Sequence, residues 1–201
     1  MTAARLRLLI AAMPAAAAWS VQAQAAARAS SVTDADVRFM QGMIGHHAQA
    51  VVMAHLAPSR SPNAAIRLLS ERIDVAQQQE IAQMQRWLEL HGAPVPAADG
   101  SGVHDHEMMD HGPMLMPGML TPEQLDRLAA SEGPDFDRLF LTFMIQHHEG
   151  ALAMVATLFS TQGSGHEPAL YEFASDVDAG QRAEIARMQA MLKAPARGRH
   201  D

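Results

Sequence analysis

The chain has 201 residues, 48 % of them apolar but only 4 % aromatic, with a formal charge of −7 and no cysteine. So few aromatics disfavour a β-sandwich or barrel and suit packed helices. The scattered Lys and Arg argue against a nucleic-acid partner, and the lack of Cys excludes disulfides and thiolate ligands.

Residues 1–25 read as a secretory signal peptide. Arg5 and Arg7 precede an apolar run from Leu8 to Val21, and "VQA" and "AQA" offer small-x-small cleavage after Ala23 or Ala25. Pro14 interrupts the run, which is shorter than the roughly 20 apolar residues a membrane span needs. The expectation is an exported periplasmic or secreted protein with no stable membrane insertion after the signal is removed.

Residues 34–92 read as a first helical hairpin. Thr33 is a good N-cap, with Asp34 and Asp36 favourable to the helix dipole, and "APSRSPN" punctuates the two helices as a loop. Residues 93–120 form a Pro/Gly-rich linker. Residues 121–193 supply a short helix, opened by the capping box of Thr121 and Gln124 with Pro122 between them, and a second hairpin. There, Pro134 suits the first turn of the leading helix, and "STQGSGHEP" is the loop.

The two hairpins are copies. "FMQGMIGHHAQAVVMA" (39–54) matches "FLTFMIQHHEGALAMV" (140–155) at an offset of 101 residues, and "IDVAQQQEIAQMQRWL" (73–88) matches "VDAGQRAEIARMQAML" (177–192) at an offset of 104. Two hairpins joined by a long crossover predict an all-α, four-helix bundle in which residues 34–193 form one domain.

At about 100° per residue, Phe39, Met43, His47, Ala50 and Ala54 share one stripe, as do Phe140, Met144, His148, Ala151 and Val155. His47 and His148 are thus expected to face the core, with His46 and His147 turned to the side near Met53 and Met154. Met43 precedes His46 by three residues and His47 by four, within reach of either imidazole. On the partner helices Asp74, Gln77, Ile81, Met84 and Leu88 form a seam, repeated by Asp178, Gln181, Ile185, Met188 and Leu192. Asp and Gln on a seam need partners. The inward histidines are the candidates, with Glu80 and Glu184 at the edge of the same face. A carboxylate on the second ring N–H is the usual support of a metal-bound His. The competing reading is a structural polar network, since a buried His or a Met stripe often serves packing alone.

The linker is a second ligand-rich region. "HDHEMMDHGPMLMPGM" holds His104, His106 and His111 with Met108, Met109, Met114, Met116 and Met119, which is three of the eleven histidines and five of the fifteen methionines within sixteen residues. Thioethers select Cu(I), whereas imidazoles accept Cu(II) or Zn(II), so the mixture points to copper in either oxidation state. The alternative is a hydrophobic cover laid over the helices.

The "FMxxMIxHHxxAxxMA"-like stretch, the "EIxxMxxxL" partner helix and the connector "MPGMLTPEQLDRL" resemble domain-of-unknown-function family 305, which includes the CopM-type copper-binding proteins. That resemblance implies a ferritin-like four-helix bundle, exported to the periplasm, that binds copper and contributes to copper tolerance. The matching ligand positions are Met43, His46, His47 and Met53, then Met144, His147, His148 and Met154. Ala48 stands where the second copy has Glu149, so the two sites need not be equivalent.

The leading expectation is therefore a non-enzymatic copper-sequestering or copper-delivering protein, with metal ions as ligands and a copper exporter or metallochaperone as partner. A ferritin-like di-metal oxidase is the enzymatic alternative, but no Glu-x-x-His occurs in the chain. A metal-free structural or interaction bundle is the third.

Overall fold

A computed structural model describes residues 32–98 and 115–194. The expected signal peptide and the ligand candidates His104, His106, Met108, Met109, His111 and Met114 lie outside the described residues. Within them are helices α1 (Asp34–Ala54), α2 (Ala57–Arg60), α3 (Ala64–Leu90), α4 (Pro122–Ala129), α5 (Gly133–Ser160) and α6 (Pro168–Lys193), and no strand. The fold is all-helical.

Local chemistry sets the helix starts. At α1, Thr33 Oγ1 accepts from Asp36 N (3.1 Å) and Asp36 Oδ2 accepts from Thr33 N (2.8 Å), closing a reciprocal cap. Thr121 and Gln124 do the same for α4. Asn63 caps α3, and Glu167 caps α6 through Leu170 N (2.8 Å) while also accepting from Trp87 Nε1 at the end of α3 (2.9 Å). The stretch 57–63, expected as a plain loop, contains the single-turn α2. Pro58 sits in its first turn, where a missing N–H costs nothing, and Ala57 is buried.

The long helices pack α1 on α3, α5 on α6, and α1 on α5. Two apolar clusters result, and each draws on all four long helices. One joins the first half of α1 (Phe39, Met40, Met43, Ile44) to the second half of α5 (Ala151, Val155, Leu158). The other joins the end of α1 (Ala50, Met53) to the start of α5 (Phe136, Phe140, Met144). Helices α1 and α5 therefore run antiparallel, and the repeat is related to itself by an approximate two-fold rotation.

Two aspartates at matched repeat positions confirm this relation. Asp36 Oδ1 accepts from Gly165 N in the α5–α6 loop (2.7 Å), and Asp137 Oδ1 accepts from Ser61 Oγ in the α2–α3 loop. Each hairpin holds the other's loop.

The expected stripes on α1 and α5 are buried throughout. The partner seams are less regular. Gln77, Gln181, Met84, Met188 and Leu88 are buried, but Leu192 is 39 % exposed. The segment after α3 folds back over Leu88, with Ala93 N donating to Leu88 O (2.9 Å). Leu192 lies in the last turn of α6, with only Lys193 after it in that helix.

Candidate metal centre

The antiparallel crossing of α1 and α5 brings the two His-His pairs to the junction between the apolar clusters. His46, His47 and His148 are 0 % exposed and His147 is 1 % exposed. His46 and His147, expected at the side of the helix, are buried as fully as the inward pair. That side is the face where α1 meets α5, so both rings are buried there. Their centroids lie 3.9 Å apart at 38°. Within each pair the separations are 6.4 and 6.2 Å.

Every one of the four rings has its Nε2 engaged by an acceptor. His46 Nε2 donates to Pro117 O (3.0 Å) and His147 Nε2 to His46 O (3.0 Å). His47 Nε2 donates to Glu80 Oε2 and His148 Nε2 to Glu184 Oε2, both at 2.6 Å. A carbonyl or carboxylate can only accept, so the proton lies on Nε2. On the opposite nitrogen of each ring, Nδ1, no protein group among the described residues offers a hydrogen bond, and the same is true of Gln77 Oε1 and Gln181 Oε1.

Burial, and then the neighbouring His47, push the His46 imidazole down to about 3, against the opposing pull of the Pro117 carbonyl. His147 is held well below its ordinary value by burial and then by His46, His148 and His47. Both rings are neutral at physiological pH. Each therefore presents a bare Nδ1 lone pair, which is the form of His that binds metals.

The carboxylates behind the inward histidines are Glu80 and Glu184, not Asp74 and Asp178. Asp74 pairs instead with the exposed His55 (3.1 Å) and with Gln78 (2.7 Å), and Asp178 pairs with Arg182. On an antiparallel partner helix the level of His47 falls at Glu80, almost two turns beyond Asp74.

Met43 and Met144 are buried in the same turns as the histidines. Met53 is buried in the second apolar cluster, but Met154 only packs, half-buried, against the first. Met116 and Met119 are buried, on a short segment that crosses α1 and α5 before α4. That segment turns at Pro117–Gly118, with Met119 N donating to Met116 O (3.2 Å) and Gly118 at φ +75. Gln49, which the sequence pattern did not single out, clamps it through Leu120 N (2.7 Å) and Leu120 O (3.1 Å). The end of the linker thus lies over the four-histidine arrangement, with Met116 and Met119 buried as the hydrophobic-cover alternative has it. Its seating is signalled in sequence by two exchanges between matched repeat positions, Gly45 for Gln146 and Gln49 for Gly150.

Among the described residues no three His, Asp or Glu side chains converge within reach of one ion. Thioether is the other soft donor type in these turns, on the buried Met43 and Met144.

The family model described as domain of unknown function (DUF305) matches residues 36–192. The chain is a DUF305 protein. No curated protein matches it. Among solved structures, this DUF305 chain is similar to a DUF305 fragment from Deinococcus radiodurans, at 28 % identity and TM-score 0.66, covering 80 % of this chain and 97 % of that one. A DUF305 protein from Streptomyces coelicolor is 26 % identical with a TM-score of 0.64, over 79 % of this chain and 91 % of that one. CopM in its Cu(II)-bound form is 28 % identical with a TM-score of 0.60, over 79 % of this chain and 95 % of that one, and CopM is also solved with Cu(I) and with silver bound.

Proposed function

We propose that this DUF305 protein binds copper at the paired histidines, outside the cytoplasm, to sequester the metal or pass it on. The observation that carries this reading is the set of four buried imidazoles whose Nε2 atoms are all engaged and whose Nδ1 atoms are all left without a protein donor. A buried polar atom without a partner costs about 1–3 kcal/mol, and four related ones at one junction call for a cation rather than for chance.

The donor set fits copper. Neutral imidazole accepts Cu(II), and the thioethers of Met43 and Met144 favour Cu(I). Glu80 and Glu184 orient His47 and His148 and raise their basicity, as carboxylates behind metal-bound histidines do. The copper-bound forms of CopM support the same reading by similarity. Met116 and Met119 stand near the centre on the covering segment, and the His/Met tract that ends there is the candidate for first capture. The basic, then apolar N-terminus supports export, and no helix among the described residues is long and apolar enough to cross a membrane. A copper exporter or metallochaperone would be the natural partner.

The test is metal analysis of protein purified from a copper-supplemented periplasm, beside a variant carrying His46→Ala, His47→Ala, His147→Ala and His148→Ala. Copper should co-purify with the natural chain, and the variant should lose the equivalents held by the helices. Unchanged stoichiometry and affinity in the variant would remove the centre from this account.

A further inference from the structure

His46 and His147 occupy the same position in the two repeats, yet their Nε2–H groups are not held alike. His147 donates to the backbone carbonyl of His46. Two-fold symmetry would send His46 to the carbonyl of His147, but it donates instead to Pro117 O at 3.0 Å. The segment Met116–Leu120 therefore breaks the symmetry of the centre, and what places that segment decides how His46 is oriented.

Three features place it. Pro117 and the positive-φ Gly118 (φ +75) occupy the two central positions of a tight turn, the pattern of a type II turn. Gly150 lets the turn lie against α5, since a Cβ there would sit 1.9 Å from Pro117 O. Gln49, 2 % exposed, holds the far end, with its Oε1 accepting from Leu120 N (2.7 Å) and its Nε2 donating to Leu120 O (3.1 Å). Gln146 Nε2 adds a bond to Gly118 O (3.3 Å).

The repeat shows that this is a built asymmetry. Gly45 and Gln49 in the first copy correspond to Gln146 and Gly150 in the second. Glutamine and glycine are exchanged at the two positions flanking the histidines. The first copy thus supplies the clamp where the second supplies the space, and the segment has one register across α1 and α5.

We infer that Gln49 is a positioning residue of the histidine centre: by clamping Leu120 it holds the Pro117 carbonyl on His46 Nε2, and so keeps the His46 Nδ1 lone pair available to the metal. This rests on the copper reading of the same centre. Without the clamp, Nε2 of His46 has no fixed acceptor, and the proton is free to occupy either nitrogen. A fraction of the rings then presents N–H where a lone pair is needed. Groups that orient metal ligands from behind commonly change affinity by about 10–100-fold when removed.

The experiment uses the full chain, with ¹⁵N-labelled histidine and Ag(I) as a redox-inert soft probe. In metal-free protein, ring ¹⁵N–¹H correlations report the tautomer of each histidine. The natural chain should show His46 and His147 as Nε2–H. Gln49→Leu, which deletes both bonds to Leu120, should mix the tautomers of His46 and leave His147 unchanged. Gly150→Ala reaches the same end by displacing the Pro117 carbonyl, and it decides the matter if Gln49→Leu does not fold. Silver affinity should fall about tenfold in either variant. A pure Nε2–H signature at His46 in both variants would overturn the positioning role. If silver perturbs none of the four Nδ1 atoms in the natural chain, the copper reading itself fails, and the metal-free spectra still decide whether Gln49 sets the His46 tautomer.

Discussion

His147 donates its Nε2–H to the backbone carbonyl of His46 at 3.0 Å, and the two rings lie tilted at 38° with centroids 3.9 Å apart. An imidazole pair at that separation inside an apolar junction cannot be doubly protonated without large cost. The pair is neutral, and neither Nδ1 has a hydrogen-bond partner among the described residues.

Acid should therefore unfold the protein through these rings. Unfolded, each imidazole takes a proton near pH 6.5, whereas folded His46 resists protonation down to about pH 3. Between those values the unfolded chain binds more protons, so stability rises with pH and is lost as the pH falls below 6.5. His147 acts in the same direction. His46 contributes about 1.4 kcal/mol per pH unit in that window. Urea midpoints should be flat from pH 8 to 7 and should drop between pH 6.5 and 5. Replacing both residues by Ala should flatten the curve, and an unchanged midpoint in the natural chain would show that the rings protonate without unfolding.

Glu80 and Glu184 should govern metal affinity rather than folding. Their side chains are 29 % and 24 % exposed, and each accepts one imidazole proton at 2.6 Å. Glu80→Gln keeps an acceptor oxygen but removes the charge that raises ligand basicity. Competition titration with Ag(I) should show affinity lower by about tenfold or more for each change. An unaltered titration would mean that the carboxylates are not behind ligands at all.

Binding should stabilise the native state. A ligand that recognises only the folded form contributes about 2.7 kcal/mol at a hundredfold excess over its Kd. Silver or Cu(I) should accordingly raise the melting temperature of the natural chain. The His46→Ala and His147→Ala double variant should show a much smaller rise. Equal shifts in both would place the metal elsewhere in the chain.

Asp36→Ala tests the exchange of loops between hairpins. It removes the half of the reciprocal cap in which Asp36 Oδ2 accepts from Thr33 N, leaves the Thr33 Oγ1 bond to Asp36 N in place, and strips Gly165 N of its acceptor, at about 1–3 kcal/mol for a buried donor. Denaturant unfolding should show a loss of about 1–3 kcal/mol. Because Asp36 lies more than two turns of α1 from the nearest of the paired histidines, metal stoichiometry should stay the same. A loss below 0.5 kcal/mol, on the order of an ordinary surface change, would show that the loop is held by other contacts.

Local and periodic features were legible from the residues alone. Thr33, Thr121 and Pro134 mark helix starts because caps and first-turn prolines act over three or four residues. The Phe39–Ala54 and Phe140–Val155 stripes follow from helical geometry, and the offset of 101 residues shows two copies of one hairpin. The pairing of Glu80 with His47 was only partly visible. It depends on where α3 slides along α1, and a seam pattern leaves that level open by a turn or two.

By itself the sequence determined two helical hairpins, each carrying Met and a His pair on its inward side, with polar residues on the partner helix that demanded an explanation. Only the tertiary structure decided that both pairs meet at one junction, that Glu80 and Glu184 stand behind two of the rings, and that Pro117 O and His46 O hold the others. The reason is physical. Caps and periodicity are written within one helix, whereas the antiparallel crossing of α1 on α5 and the seating of Met116–Leu120 against Gly150 and Gln49 are contacts between distant segments. Their alignment is set by shape and by the need of each buried polar group for a partner, and no spacing along the chain records it.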